Sequence, residues 1–169
     1  MQIPEIRTAR LTLRELRLTD APGFHAMHEH PDFHRYLGAV RPSSENWFRA
    51  IAGVGMWQVY GHGFWAVIDE HGFAGHIGIA DFQRGLEPPL PAPEAAWVFA
   101  QRCWGRGYAT EAIGAMLDWA DAYIERTCCM IEPEHAASVR VATKHGYLPH
   151  RTVEKDGLLT VFIRDAKAR

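Results

Sequence analysis

Apolar and polar positions alternate along residues 7–14. Leu11 and Leu13 fall on one side and Arg10, Thr12 and Arg14 on the other, which predicts a half-buried strand. Thr19-Asp20-Ala21-Pro22 predicts a helix start with Asp20 as N-cap and Pro22 in the first turn, and Pro31 ends that helix. A second helix opens at Pro42-Ser43-Ser44-Glu45, capped by Ser43 or Ser44. Trp47, Ile51, Val54 and Trp57 run down it as a core stripe, and Gly53 and Gly55 weaken it. Phe64 to Ile68 and Phe73 to Phe82 read as two strands of a hairpin around Asp69-Glu70-His71-Gly72, with Gly75 and Gly78 marking a bulge or close packing. Residues 84–93 hold four prolines and form a stiff loop. Glu94 to Ala100 then reads as a strand.

The strongest periodicity follows. Ala109, Ala112, Ile113, Met116, Leu117, Ala120, Tyr123 and Ile124 recur at helical spacing on one face, and Glu111 in the first turn suits the helix dipole. Thr127 to Ile131 is a short buried strand. With the strand before the helix it predicts a crossover and a parallel pair. A further helix, within residues 132–147, closes at Gly146. Strands 149–155 and 158–164 meet at the hairpin signal Asp156-Gly157. We expect one domain spanning residues 1–169.

Composition narrows the class. The chain has 47% hydrophobic and 22% charged residues and a formal net charge of −2, ordinary for a globular protein and without the basic surplus of a general nucleic-acid binder. No apolar run reaches the roughly 20 residues of a membrane span, and Met1-Gln2-Ile3-Pro4-Glu5 has no leader pattern, so a cytoplasmic location is expected. Cys103, Cys128 and Cys129 are an odd set that argues against a disulfide framework. Cys103 lies in a basic loop and reads either as a partly activated thiol or as a small packed side chain. His25, His28, His30 and His34 cluster, but no cysteine or paired carboxylate joins them. They read as surface or substrate-lining histidines, and no metal is expected.

Chemistry concentrates at residues 101–110. Gly105 and Gly107 permit positive φ and leave backbone N–H groups uncovered, and the open donors of the helix start face the same way. Such a turn holds a phosphate or pyrophosphate, or is an ordinary glycine turn into a helix. Gly105-x-Gly107-x-x-Thr110 lacks the third small residue of a dinucleotide-binding turn and does not open a βαβ domain.

Arg102-x-x-Gly105-x-Gly107 resembles the R/Q-x-x-G-x-G/A acetyl-coenzyme A motif of the GNAT N-acetyltransferases. Trp104-Gly105-Arg106-Gly107-Tyr108-Ala109-Thr110-Glu111-Ala112 is similar to the RimJ/RimL-type branch, which acetylates protein N-termini and other primary amines. Residues 132–147 resemble the family segment P-E-N-x-x-S-x-R-V-x-x-K-x-G-F, with His135 at the Asn position and Ser138 kept. The resemblance implies an α+β, three-layer αβα fold. Its central sheet is mixed and mostly antiparallel, with a splayed parallel pair formed by the fourth and fifth core strands. It implies acetyl-coenzyme A as cosubstrate, an amine acceptor (protein N-terminus or small molecule), and the possibility of a homodimer. It also implies cofactor contacts at Val98, Phe99, Ala100, Arg102, Cys103, Trp104, Gly105, Arg106, Gly107, Tyr108, Ala109, Thr110, His135 and Ser138.

Direct transfer needs the acceptor ammonium to lose a proton, and Glu94 is the candidate. It reads as general base, as ammonium anchor, or as a solvated strand end. Ser138 is the candidate beside the cofactor sulfur. The position from which many relatives supply a tyrosine acid is Ala142 here, and Tyr147 is expected in the core. A non-catalytic acyl-coenzyme A sensor with the same fold is the alternative function.

Overall fold

A computed structural model describes residues 2–36, 40–155 and 157–167. Eight strands form one sheet in the order β1-β2-β3-β4-β5-β6-β8-β7. The strands are β1 (Ile6–Arg7), β2 (Thr12–Arg14), β3 (Phe64–Asp69), β4 (Gly72–Ala80), β5 (Glu94–Phe99), β6 (Arg126–Ile131), β7 (Leu148–Glu154) and β8 (Leu158–Asp165). Every neighbouring pair is antiparallel except β5–β6, which is parallel. Helices α1 (Ala21–Glu29) and α2 (Ser43–Tyr60) pack on one face, and α3 (Tyr108–Ala120) and α4 (Ala136–Lys144) on the other. This is the three-layer mixed-sheet fold expected from the sequence.

Each face buries its own apolar set. Ile77, Ile79, Ala95 and Phe99 of the sheet meet Ile113, Met116 and Leu117 of α3, and Tyr147 is fully buried among them with its hydroxyl 2.7 Å from that of Thr127. Ala66 and Phe73 meet Phe24, Met27 and Phe33 on the other face. Gly75 is there because β5 passes so close. A Cβ would strike the Val98 carbonyl.

Four expectations change. The strand predicted over 7–14 is two short strands, since Thr8 N–H bonds the Leu11 carbonyl at 2.9 Å and folds the chain back. The fourth and fifth strands of the sequence count are therefore β5 and β6. Tyr123 falls beyond α3, which ends at Ala120, and is 73% exposed. Ile51, placed in the α2 core stripe, is exposed, while Trp57 is buried. The predicted caps are engaged elsewhere: Asp20 binds Arg14 through both carboxylate oxygens at 2.8 Å, and the Ser43 hydroxyl lies 2.6 Å from His25 Nδ1. The β7–β8 hairpin forms, with Gly157 at φ 130°, while Asp156 of its predicted turn lies outside the described residues.

Candidate active site: a wedge between two parallel strands

The parallel pair is joined at one end only. Glu94 registers with Cys128, and Cys128 N–H donates to the Pro93 carbonyl at 3.0 Å; no further pairing follows along the two strands. The strands therefore part toward Phe99, leaving the edge of β5 at Trp97, Val98 and Phe99 without β6 partners. An unpaired strand edge offers donors and acceptors to an extended ligand.

The wide end of the wedge meets the glycine loop. A 3₁₀ turn, Gln101–Cys103, follows β5, and Gly105 and Gly107 both adopt left-handed backbone, at φ 72° and 77°. No internal acceptor is recorded for the N–H groups of Gly105, Arg106 and Gly107 among the described residues. A Cβ at Gly105 would meet nothing within 4 Å, so the turn is open. The first amides of α3, at Tyr108, Ala109 and Thr110, lie beyond the reach of i−4 bonding and add to the donor set. The cradle fits a diphosphate by backbone donors and needs no side chain.

Side chains around the loop divide into two groups. Arg106 lies over the Tyr108 ring, its guanidinium carbon 4.9 Å from the centroid, and Arg10 covers the ring as well, at 4.8 Å. Arg10 also binds Glu111 and the Arg106 carbonyl, fixing the loop to the N-terminal strands. Arg102 is turned away. Its guanidinium binds both oxygens of Asp69, at 2.6 and 3.1 Å, and the Phe73 carbonyl at 2.8 Å, so its charge is used at the β3–β4 turn rather than at the open amides. Burial raises the Asp69 pKa, but the Arg102 and His71 hydrogen bonds outweigh it and hold the carboxyl below its usual range. Cys103 is buried, and burial pushes its thiol up despite Arg102, which removes the activated-thiol reading. Trp104 donates its indole N–H to the Phe99 carbonyl at 2.8 Å, and Ala100 caps the 3₁₀ turn.

The narrow end holds Glu94. Its carboxylate is 5% exposed and lies on the sheet face covered by α1 and α2, the face to which its register partner Ala80 also belongs. Both of its oxygens are engaged by Arg84 of the proline loop: Nε donates to Oε2 at 2.6 Å and Nη2 to Oε1 at 2.7 Å. The loop is in turn tied to β7 and the residue after it: Lys155 Nζ donates to the Arg84 carbonyl at 2.7 Å and Arg151 of β7 to the Pro88 and Pro89 carbonyls. Beside Glu94, Cys128 has its thiol pKa pushed up to about 12, first by burial and then by the Glu94 charge. It is neutral and donates to the Ala92 carbonyl.

At the start of α4, His135 and Ser138 come together with Nε2 and Oγ 3.4 Å apart. Tyr36, from the α1–α2 connection, stacks on His135 at 4.2 Å and 13°. Burial lowers the His135 pKa, so the ring is neutral near pH 7 and carries one donor and one acceptor nitrogen. Ala142 is buried and supplies no acid. His25, His28, His34 and His76 pack with aromatics on the α1–α2 side. His28 donates from Nδ1 to the Phe24 carbonyl of its own helix at 2.9 Å, and its ring centroid sits 6.4 Å from that of His76, whose pKa burial lowers to about 3. No group of three or more metal-capable side chains occurs among the described residues.

Three participants were not visible from the sequence: Arg84, Arg10 and Tyr36. Each meets its partner across a large sequence gap or from an irregular segment, and no spacing announces it.

The chain is similar to known proteins over most of its length. Residues 10–148 match the acetyltransferase (GNAT) domain model. A GNAT-family acetyltransferase from Bordetella pertussis superposes with a TM-score of 0.84 at 27% identity, over 96% of this chain and 99% of that one. An acetyltransferase from Agrobacterium tumefaciens gives 0.82 at 28%, over 97% and 95%. RimL, a ribosomal-protein alpha-N-acetyltransferase solved in complex with coenzyme A, shares the fold at a TM-score of 0.80 and 13% identity, over 96% and 98%. The uncharacterized protein YkkB of Bacillus subtilis is 34% identical over 100 residues, 57% of this chain and 56% of that protein, so the match spans little more than half of its length. With a domain match over residues 10–148 and an open glycine turn at the mouth of a splayed parallel pair, this chain belongs to the GNAT acetyltransferase family.

Proposed function

We propose that the protein is an acetyl-coenzyme A dependent N-acetyltransferase of RimJ/RimL-like type, working as one domain over residues 1–169, and that it acetylates a primary amine by direct attack. One observation carries the reading. The wedge opens from a buried carboxylate at its apex toward an open, amide-lined turn about 20 Å away, six strand residues at 3.3 Å each. Gly105 and Gly107 would hold the diphosphate of such an arm, the free edge of Trp97, Val98 and Phe99 would pair along it, and Glu94 would lie near its far end.

Acetyl-coenzyme A supplies the thioester. The protein's residues do the rest. The amides of residues 105–110 hold the diphosphate. A backbone N–H at Val98 or Phe99 polarises the thioester carbonyl as charge develops on its oxygen. Glu94 takes the proton that the acceptor ammonium must lose. As the new C–N bond forms and the C–S bond breaks, the attacking nitrogen gives up its second proton and the departing thiolate takes one up to leave as the thiol, with Ser138, beside His135, donating a hydrogen bond to the sulfur. Arg106 adds charge at the loop. Arg102 contributes its backbone only.

The test is thiol release from acetyl-coenzyme A with a panel of amines, amino acids and peptides, with products identified by mass. Release with an acetylated acceptor supports the reading. Binding of coenzyme A without turnover on any acceptor favours a non-catalytic acyl-coenzyme A sensor instead. The Arg84 fork on both oxygens of Glu94 is the observation that keeps this second reading open.

A further inference from the structure

We infer that Arg84 selects the acceptor, and that the preferred acceptor is a small zwitterion: a primary amine carrying a carboxylate within a few bonds. The inference rests on the acetyl-transfer reading and names its substrate class.

Glu94 is buried and fully engaged by Arg84, whose side chain is 29% exposed. With the carboxylate 5% exposed and a guanidinium bond on each oxygen, an arriving ammonium competes with Arg84 for Glu94. The displaced guanidinium stays beside the site, because the Arg84 carbonyl is held by Lys155 and the loop beyond it by Arg151. It also lies over the Phe82 ring, 4.6 Å from the centroid. A half-buried cation stripped of its carboxylate loses a charge-assisted contact that water replaces only in part.

The identity of the acceptor decides whether that cost is met. A bare monoamine brings one positive charge into a region that already holds Arg84, Arg151 and Lys155 around a single buried carboxylate. A zwitterion makes an exchange in which charge is conserved. Its ammonium takes Glu94, its carboxylate takes the Arg84 fork, and one ion pair becomes two. Planar, bidentate recognition of a carboxylate is what a guanidinium does best. A peptide N-terminus without an acidic first residue lacks a carboxylate at that distance, as does a polyamine.

The experiment measures kcat/KM by thiol release for free amino acids, for the same amino acids as carboxamides, for alkyl monoamines and for short peptides. Wild type is compared with Arg84→Gln and Arg84→Lys, and folding and coenzyme A binding are checked by thermal melting and calorimetry. We expect wild type to favour the acids over the carboxamides by about tenfold to a hundredfold, the size of one charge-assisted contact. Arg84→Gln should bring the two within about twofold while binding coenzyme A as wild type does. Arg84→Lys, which keeps a charge but not the fork, should fold as wild type and fall between. Turnover of carboxamides, monoamines or peptides at least as fast as the acids would overturn the inference and leave acetyl transfer standing. So would an acid preference that survives in Arg84→Gln, or in Arg84→Lys at full strength if Arg84→Gln does not fold. No turnover on any of the four classes would overturn both.

Discussion

The two ends of β5 are built by different means. Beyond Phe99, function rests on the main chain: two left-handed glycines, the amides that follow them and the first turn of α3. At Glu94 it rests on side chains drawn from the proline loop and β7, each tied to the next by a hydrogen bond. A main-chain site tolerates most side-chain changes and fails when the backbone cannot hold its φ. A side-chain site fails at any of its members and is free to differ between relatives. On the proposed reading, the first end holds the cofactor common to the family and the second carries the choice of acceptor.

Glu94→Gln breaks the narrow end alone. We expect kcat to fall by about 100- to 10,000-fold, the range for loss of a general base. Calorimetry should show coenzyme A binding unchanged. Gly107→Val breaks the wide end alone. The backbone there is at φ 77°, and a β-branched residue is strained by roughly 1–3 kcal/mol in that region. Its side chain would also press on the Arg10 guanidinium, 3.5 Å from a Cβ. Coenzyme A affinity should drop by about a hundredfold, or ~3 kcal/mol, with the cooperative thermal transition retained.

Asp121→Asn touches neither end and separates stability from function. Asp121 holds Arg164 through both oxygens, at 2.6 and 2.7 Å, joining the end of α3 to β8. Its loss leaves a nearly buried guanidinium short of a charged partner and should cost about 2–3 kcal/mol in urea unfolding, with coenzyme A affinity unaltered. The same pair sets an acid limit. Arg164 hydrogen bonding pulls the Asp121 carboxyl below its ordinary value, against burial. Its stabilisation is therefore complete above the unfolded pKa of about 3.9 and is lost as pH falls through the lower folded value. Unfolding curves of wild type and Asp121→Asn should converge in that window. The smallest effect is expected at the seam between the two ends. His135→Asn should change the KM for acetyl-coenzyme A by about fivefold or less, the worth of one neutral hydrogen bond.

The same contrast explains what the sequence disclosed. Helix period, strand alternation and the two glycines are local signals, so α3, most strands and a glycine turn were readable directly, while the sheet's order was implied only by the family resemblance. Arg102 read as a cofactor ligand because it is a cation next to glycines. Asp69, 33 residues earlier, takes its charge instead, through a contact that exists only once β3 and β4 have paired. Glu94 was readable as an acid at a strand start, but its partner was not: Arg84 reaches it because cations on β7 hold the proline loop over the sheet. Ser43 had the right residue type for a cap, and His25 on the neighbouring helix engages its hydroxyl.

The most direct test of the wedge is a crystal structure of the protein with acetyl-coenzyme A. The account predicts the diphosphate on the amides of residues 105–110, the pantetheine arm along Trp97 to Phe99, and the acetyl group near Glu94 on the α1–α2 side. A diphosphate held away from the glycine turn, or an acetyl group that ends on the far face of the sheet from Glu94, would contradict it.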